Sequence, residues 1–537
     1  HEEAFSQRGF LSKNLGSMLI RGLKQYAQTA KVLDGTDDSS LGFDKVLASA
    51  IVLSKYIRKQ TDKPRVGIVL PPGKGGLIAN LAVIFAGKVP VNLNFTASQD
   101  AVRSAMRQAG LDRFITVDPF VRKFPSFPWP PNRDLILLER ILPTLKKKIG
   151  LWLMISKFMP AQAIASHLGI SKIKSTDEAV LLFTSGSSGE PKGVSLTHRN
   201  VLANELQFHS RLESKSGEKI LGCLPLFHSF GCTATLWYPI LAGLDLVTYT
   251  NPLETKRIAE LIFQHKIGIF LFTPTFLRGY MKRIDPAQFS SLKLVVTGAE
   301  KLPLSLANAF EEKFGIRPQE GYGLTETSPA TNVNLPDLDP ARDSVVLPSS
   351  RNGSVGQPLP GLAIKITDPA TDKEVPINKQ GIIWFKGPNV FKGYWCMPEK
   401  TREDFTAVDL LSGGRAEITA GRGAYIDQSQ SLNLFLAADI DKWDLHMLHW
   451  TAWEKGLKSL YYCRSKSIQR AGFADGNPAG PRIGVLLAPA EAQGCGEQHG
   501  GGNRRPYAPR AGHYCGADHS RWPKEHRYDE AGTEASR

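Results

Sequence analysis

The spacing of apolar runs predicts an α/β fold: a large domain of mixed, mostly parallel sheets flanked by helices, followed by a small β-barrel subdomain. Three observations carry this. From Arg65 to His265, β-rich runs alternate with helical stretches: RVGIVL, GGLIANLAVIFAGK and VPVNLN, then KILGCLPL, a helix, DLVTY and another helix. IGIFLFTP and LKLVVTGAE continue the alternation. Around Arg351 to Gly393 the texture changes to LAIKITD and GIIWFKG, short alternating strands separated by Pro and Gly. The expected organisation is therefore residues 1–350 as α/β subdomains, 351–410 as a β-rich subdomain that completes them, and 411–537 as a tail of another kind. In open sheets of this class ligands sit beyond the carboxyl ends of strands, where Thr184, Thr273 and Gly298 fall.

A chain of 537 residues has room for large cores. Its net charge of +15 is concentrated early: residues 411–537 hold 16 Lys+Arg and 14 Asp+Glu, leaving 50 − 37 = +13 on residues 1–410. Such an excess suits an acidic lipid or an acidic carrier protein; no aromatic and basic RNA-reading motif is present, so nucleic acid is not expected as a partner. No apolar run reaches the ~18 residues of a membrane span, and HEEAFSQRGF has neither an initiator Met nor a signal-peptide pattern. The sequence reads as soluble and truncated at its start. Six cysteines without a C-x-x-C pair point to a reducing cytoplasm. Cys495, His499, His513, Cys515 and His519 cluster without matching a standard zinc spacing.

The most informative stretch is LLFTSGSSGEPKGVSLTHRN at 181–200, an apolar strand, a small-residue loop, a lysine and a second strand. Gly186, Gly189 and Gly193 let backbone approach an anion, Thr184, Ser185, Ser187 and Ser188 offer hydroxyls, and Lys192 brings a mobile charge. The spacing fits neither a Walker loop, because Pro191 stands where Gly-Lys is needed, nor a nucleophile elbow, because Glu190 replaces the last Gly. A polyphosphate-holding loop is the remaining reading, against a solvated Gly/Ser hairpin.

This stretch resembles the phosphate-binding signature of the adenylate-forming, or AMP-binding, acyl-CoA and acyl-carrier-protein synthetase superfamily. The pattern T-S-G-[ST]-[ST]-G-x-P-K-G-V is met from Thr184 to Val194. Three further stretches follow in family order: LPLFHSFG at 224–231, VVTGAEKL at 295–302 and GYGLTETSP at 321–329. The resemblance implies ATP and Mg²⁺ as cofactors. It places His228 beside the substrate carboxylate, Gly298, Ala299 and Glu300 against adenine, and Tyr322 and Gly323 in the Y-G-x-T-E signature, with Tyr322 stacked on the base. Thr325 would touch the α-phosphate and Glu326 would bind Mg²⁺. A hard cation does reach nucleotides through one or two carboxylates and phosphate oxygens, and an aromatic face gains from stacking on a purine. Taken singly, Glu326 reads better as a helix-start carboxylate, Tyr322 as a core aromatic and His228 as a satisfied turn histidine; it is the four motifs in order that favour the functional reading.

Within that superfamily the wording of LPLFHSFG and GAEKL is similar to the synthetase half of bacterial 2-acylglycerophosphoethanolamine acyltransferase/acyl-carrier-protein synthetases. The implied activity is activation of a long-chain fatty acid through an acyl-adenylate and transfer to the thiol of acyl carrier protein or CoA. Lys192, His228, Thr325 and Glu326 would be the catalytic set. The segment LERILPTLKKKIGLWLMISKFMP at 138–160 is too short to span a bilayer, but its apolar run and basic flank fit a helix lying in an anionic interface as well as one packed on its own domain. Peripheral contact with an inner membrane is expected from it.

The resemblance stops after Phe405. The expected ribose-binding T-G-D, hinge G-R-x-K/D and C-terminal P-K-T-x-x-G-K are absent, and Asp409, the GRG at 421–423 and Lys524 echo them faintly. The last 127 residues hold 17 of 49 Gly and half of the 12 His, with little hydrophobic periodicity. A departure of the reading frame near Ala407–Leu410 would account for this. The C-terminal α+β domain is read as lost or replaced. A nucleotide-binding, membrane-associated pseudoenzyme is accordingly the second expectation. HYCGAD at 513–518 matches the His-x₄-Asp acyltransferase pattern, as one of twelve histidines readily would by chance.

Overall fold

The computed structural model describes residues 5–401 except 185–189, 213, 337–348, 370, 372 and 377–378, together with the backbone of 433–436 and 462–465. All lie in one compact unit, His1–Pro489.

The helix Leu15–Gln25 has its first turn held by Asn14: its side chain accepts from Ser17 N at 2.8 Å, while the Leu15 N–H donates to His198 Nδ1 at 3.2 Å. Strands β1 (Lys31–Asp34) and β2 (Ser39–Gly42) form an antiparallel pair. A long helix, Phe43–Gln60, leads into a four-stranded parallel sheet in the order β4-β3-β5-β6, comprising β3 (Arg65–Ile68), β4 (Val89–Asn92), β5 (Phe114–Thr116) and β6 (Leu135–Leu137). The helix Lys74–Phe85 is apolar on nearly every side and is buried from Gly76 to Phe85, as all-round hydrophobicity requires. RVGIVL and VPVNLN thus become β3 and β4, buried on both faces in the manner of parallel strands.

β7 (Glu178–Thr184) and β8 (Lys192–Thr197) depart from the expected alternation and pair with each other as an antiparallel hairpin. The chain then returns to β1 and β2 and builds a nine-stranded sheet in the order β15-β14-β13-β12-β11-β9-β10-β1-β2. Its members are β9 (Lys219–Gly222), β10 (Asp245–Thr248), β11 (Ile269–Phe272), β12 (Leu294–Thr297), β13 (Gln319–Gly323), β14 (Ala330–Val333) and β15 (Gln357–Pro358). From β1 to β13 the strands run parallel, and β2, β14 and β15 are antiparallel to their neighbours. Helices Thr255–His265, Pro274–Arg283 and Leu304–Phe314 cover one face through an aromatic core of Phe270, Phe272, Tyr280, Phe289, Phe310 and Phe314, with ring separations such as 4.5 Å between Phe270 and Phe272.

Beyond β15, β16 (Ala363–Thr367) and β17 (Ile382–Lys386) pair antiparallel, as the alternation of LAIKITD and GIIWFKG predicts. β18 (Asn433–Leu436) and β19 (Tyr462–Ser465) form a parallel pair. Asp409, the GRG at 421–423, Lys524 and the Cys/His cluster at 495–519 lie outside the described residues.

Candidate active site

The hairpin register sets the first part of the site. Thr184 and Lys192 are partners across β7 and β8, so they close the mouth of the segment between them. Ser185, Gly186, Ser187, Ser188 and Gly189 lie outside the described residues. Gly193, expected to lend left-handed freedom to the loop, is instead extended within β8. Its small size serves packing: the Trp395 N–H donates to its carbonyl at 2.7 Å, and an added Cβ would stand 3.2 Å from Trp395 Cβ.

Parallel strands that share a direction bring their ends together. His228 and Ser229 follow β9, Thr273 follows β11, Gly298 to Glu300 follow β12, and Tyr322 and Gly323 end β13. Thr325 and Glu326 come next in the short turn Thr325–Thr327. Ser229 and Thr325 hydroxyls lie 3.3 Å apart and tie LPLFHSFG to GYGLTETSP. Ala299 holds φ at +65°, a conformation that costs an alanine about 1 kcal/mol and persists where surroundings demand it. The Glu300 carboxylate accepts from Thr275 Oγ1. Gly323 has a packing role, because a Cβ there would come within 1.8 Å of the Pro329 carbonyl oxygen at the register shift between β13 and β14.

Lys192, Glu326 and Tyr394 converge from three distant segments. The Tyr394 hydroxyl donates to Glu326 Oε1 at 2.7 Å, Lys192 Nζ sits 4.6 Å from the Tyr394 ring centroid, and the Phe391 N–H donates to the Glu326 carbonyl at 2.8 Å. Behind them Arg65 pairs with Glu178 at 2.8 Å, and its guanidinium lies 3.6 Å over the Trp395 ring. That link fixes the hairpin against both β3 and the segment that carries Tyr394. Tyr394, Trp395, Arg65 and Glu178 escape sequence reasoning. No role is assigned to KGYW at 392–395 from the sequence, and a contact between residues 65, 178 and 395 has no signature along the chain.

The electrostatics follow from partial enclosure. The His228 ring is exposed on one side and lies 4.6 Å from the Phe227 ring; the apolar surroundings lower its pKa by desolvating the imidazolium, so the neutral ring prevails at pH 7. Burial pushes the Tyr322 phenol up, and the nearby Glu326 charge adds to that shift. Tyr322 lies against Phe385 at a 23° interplanar angle with 6.5 Å between ring centroids. Thr273 Oγ1, at the end of β11, is buried without a hydrogen-bond partner among the described residues.

Lys192, Tyr394 and Glu326 thus meet, with Thr184 across the hairpin from Lys192 and Thr325 next to Glu326. Oxygen donors of this kind, Glu326 and Thr325, fit a hard divalent cation, and Thr184 with Lys192 fits phosphate oxygens. Among the described residues no group of three or more His, Cys, Asp and Glu is placed to hold a metal ion by itself.

The AMP-binding enzyme family matches residues 22–395. A shorter match, to the ribonucleotide reductase barrel domain, covers residues 367–463, of which most lie outside the described residues. A long-chain-fatty-acid–CoA ligase of Bacillus subtilis (strain 168) is 31% identical over 388 residues, covering 67% of each chain. A probable 4-coumarate–CoA ligase 1 of Dictyostelium discoideum is 31% identical over 266 residues, 48% of this chain and 46% of its own. The chain therefore spans between about half and two thirds of these relatives. In fold, the crystal structure of the anthranilate CoA ligase AuaEII in complex with anthranoyl-AMP superposes with a TM-score of 0.61 at 21% identity, over 75% of this chain and 74% of that one. The match of residues 22–395, running from the first helix through the segment that carries Tyr394, places the chain in the AMP-binding enzyme family.

Proposed function

We propose that the chain activates a long-chain fatty acid with ATP, through an acyl-adenylate, and passes the acyl group to the thiol of acyl carrier protein or CoA. The observation that carries the reading is the convergence of Lys192, Tyr394 and Glu326 beside the Ser229–Thr325 contact. A carboxylate resists thiol attack because oxide is a poor leaving group. In the first step a carboxylate oxygen bonds to the α-phosphorus while the α–β bridging bond breaks, and pyrophosphate leaves. In the second the thiol sulfur bonds to the acyl carbon, AMP leaves and the thiol proton is released.

Thr184 and Lys192 would hold the β- and γ-phosphates, Thr325 the α-phosphate and Glu326 the Mg²⁺, which supplies charge neutralisation on the leaving pyrophosphate. Tyr322 and the turn Gly298–Glu300 would flank the adenine. His228, neutral at pH 7, would orient the acyl carboxylate without quenching it as a nucleophile. Such chemistry gains most of its rate from positioning and charge stabilisation. The relatives' names support the acid and CoA; the wording of LPLFHSFG and GAEKL supports acyl carrier protein.

Pyrophosphate exchange into ATP, measured across fatty acids of increasing length, tests the reading. Exchange that rises with chain length and hydroxylamine-trappable acyl-AMP are the expected results; thioester formation with CoA and with acyl carrier protein in parallel identifies the acceptor. Binding of Mg-ATP with no exchange for any acid would overturn it and leave a nucleotide-binding protein.

A further inference from the structure

The helix Leu138–Phe158 has two opposite faces. Leu138, Leu145, Trp152 and Ser156 are buried. Lys24 Nζ donates to the Ser156 carbonyl and to the Lys157 carbonyl, and Lys55 Nζ lies 4.2 Å over the Trp152 ring, so this face is pinned to the body. On the other face Leu151, Met154 and Phe158 are 58%, 68% and 80% exposed. With Lys147 they are spaced i, i+4, i+7 and i+11, which makes one continuous stripe. The remaining exposed large apolar side chains among the described residues, Leu253, Phe263, Leu304 and Ile366, are on other elements.

The stripe is bordered by charge of one sign. At 100° per residue Lys148 falls on one side of it and Lys146 and Lys157 on the other, all of them exposed. From Arg140 to Thr176 the chain contains no Asp or Glu. Among the described residues no helix is long and apolar enough to cross a bilayer.

We infer that this face is a docking surface for an anionic phospholipid bilayer, into whose interface Leu151, Met154 and Phe158 insert while the lysines meet headgroup phosphates. A second copy of the chain fits worse, because a facing stripe would set lysine rows against each other. The inference goes beyond the proposed reaction, since binding is read without turnover.

The test is co-sedimentation of the full chain with vesicles of three parts phosphatidylcholine to one part phosphatidylglycerol, and with phosphatidylcholine alone. Binding to the anionic vesicles is expected to weaken at least about tenfold in Leu151→Ser/Met154→Ser/Phe158→Ser, and likewise in Lys146→Gln/Lys147→Gln/Lys148→Gln, with thermal unfolding unchanged because every altered side chain is exposed. A Phe158→Trp variant should show blue-shifted emission on adding the anionic vesicles. Equal sedimentation of parent and both variants would overturn the proposal. So would a loss in the serine variant confined to self-association by gel filtration, or to binding of acyl carrier protein.

Discussion

The two ends of the nine-stranded sheet differ in a way that composition hides. At the amino ends of β9, β11 and β12 lies a cavity of about 500 Å³ lined by Arg211, Lys219, Lys266 and Lys293. Yet these charges belong to the ordinary surface of a basic chain: Lys293 is largely exposed and pairs with Glu218 at 3.4 Å, also in the lining. Near the carboxyl ends Lys192 meets a carboxylate and a phenol delivered by segments some 200 residues apart, beside the Ser229–Thr325 hydroxyl pair. Concave space and positive charge are cheap in a protein of net charge +15; different chemical groups converging from distant segments are not. The parallel strands all point one way, and helices such as Pro274–Arg283 begin there with their positive dipole ends.

The largest expected effect separates the two ends directly. Lys192→Ala should cut pyrophosphate exchange by about a hundredfold to a thousandfold, ~3–4 kcal/mol, the loss expected when one preorganised donor to developing charge is removed. Lys293→Ala, at the amino end, should leave exchange within about twofold. If Lys293→Ala proved as damaging as Lys192→Ala, the amino-end cavity would be the anion site and the comparison would invert.

A smaller effect sharpens the carboxyl-end reading. Tyr394 acts on the proposed nucleotide through Glu326 and Lys192, so it is a positioning residue. Its hydrogen bond is to a carboxylate, a kind whose loss costs ~1.5–3 kcal/mol. Tyr394→Phe should raise the KM for Mg-ATP by about tenfold, shift the Mg²⁺ dependence to higher concentration, and leave the KM for fatty acid unmoved. Equal rises for both substrates would mean that the tyrosine supports only the fold.

These residues also mark what the sequence could disclose. Local pattern sufficed for β3, β4, β9 to β12 and their helices, because buried parallel strands read as continuous apolar runs and covering helices as periodic ones. It also singled out Thr184, Lys192, His228, Thr325 and Glu326 as candidates, because their motifs are contiguous. The antiparallel pairing of β7 with β8 was present only as the rival hairpin reading, since apolar runs do not declare their partner. Gly193 was legible as a glycine but not as the seat of Trp395, and Tyr394 resembled any tyrosine until Glu326 stood 2.7 Å away. Contacts made across hundreds of residues leave no periodicity to read.

The smallest effect concerns pH and belongs to the carboxyl-end site. The apolar neighbours of His228 lower its pKa below the ordinary 6.5, so the ring is neutral at pH 7 and gains a proton only as pH falls below that ordinary value. An imidazolium beside the acyl carboxylate would hold it more tightly in the ground state and weaken it as a nucleophile. On acidification the parent should therefore lose kcat while its KM for fatty acid falls, and His228→Gln, neutral at every pH, should show neither change. Near pH 7.5 the two should differ by less than about tenfold, because a neutral donor remains in each. Pyrophosphate exchange followed from pH 8 down to 5 decides it. Matching acid limbs in parent and variant would remove His228 from the neighbourhood of the carboxylate and leave the ring as a turn residue packed on Phe227.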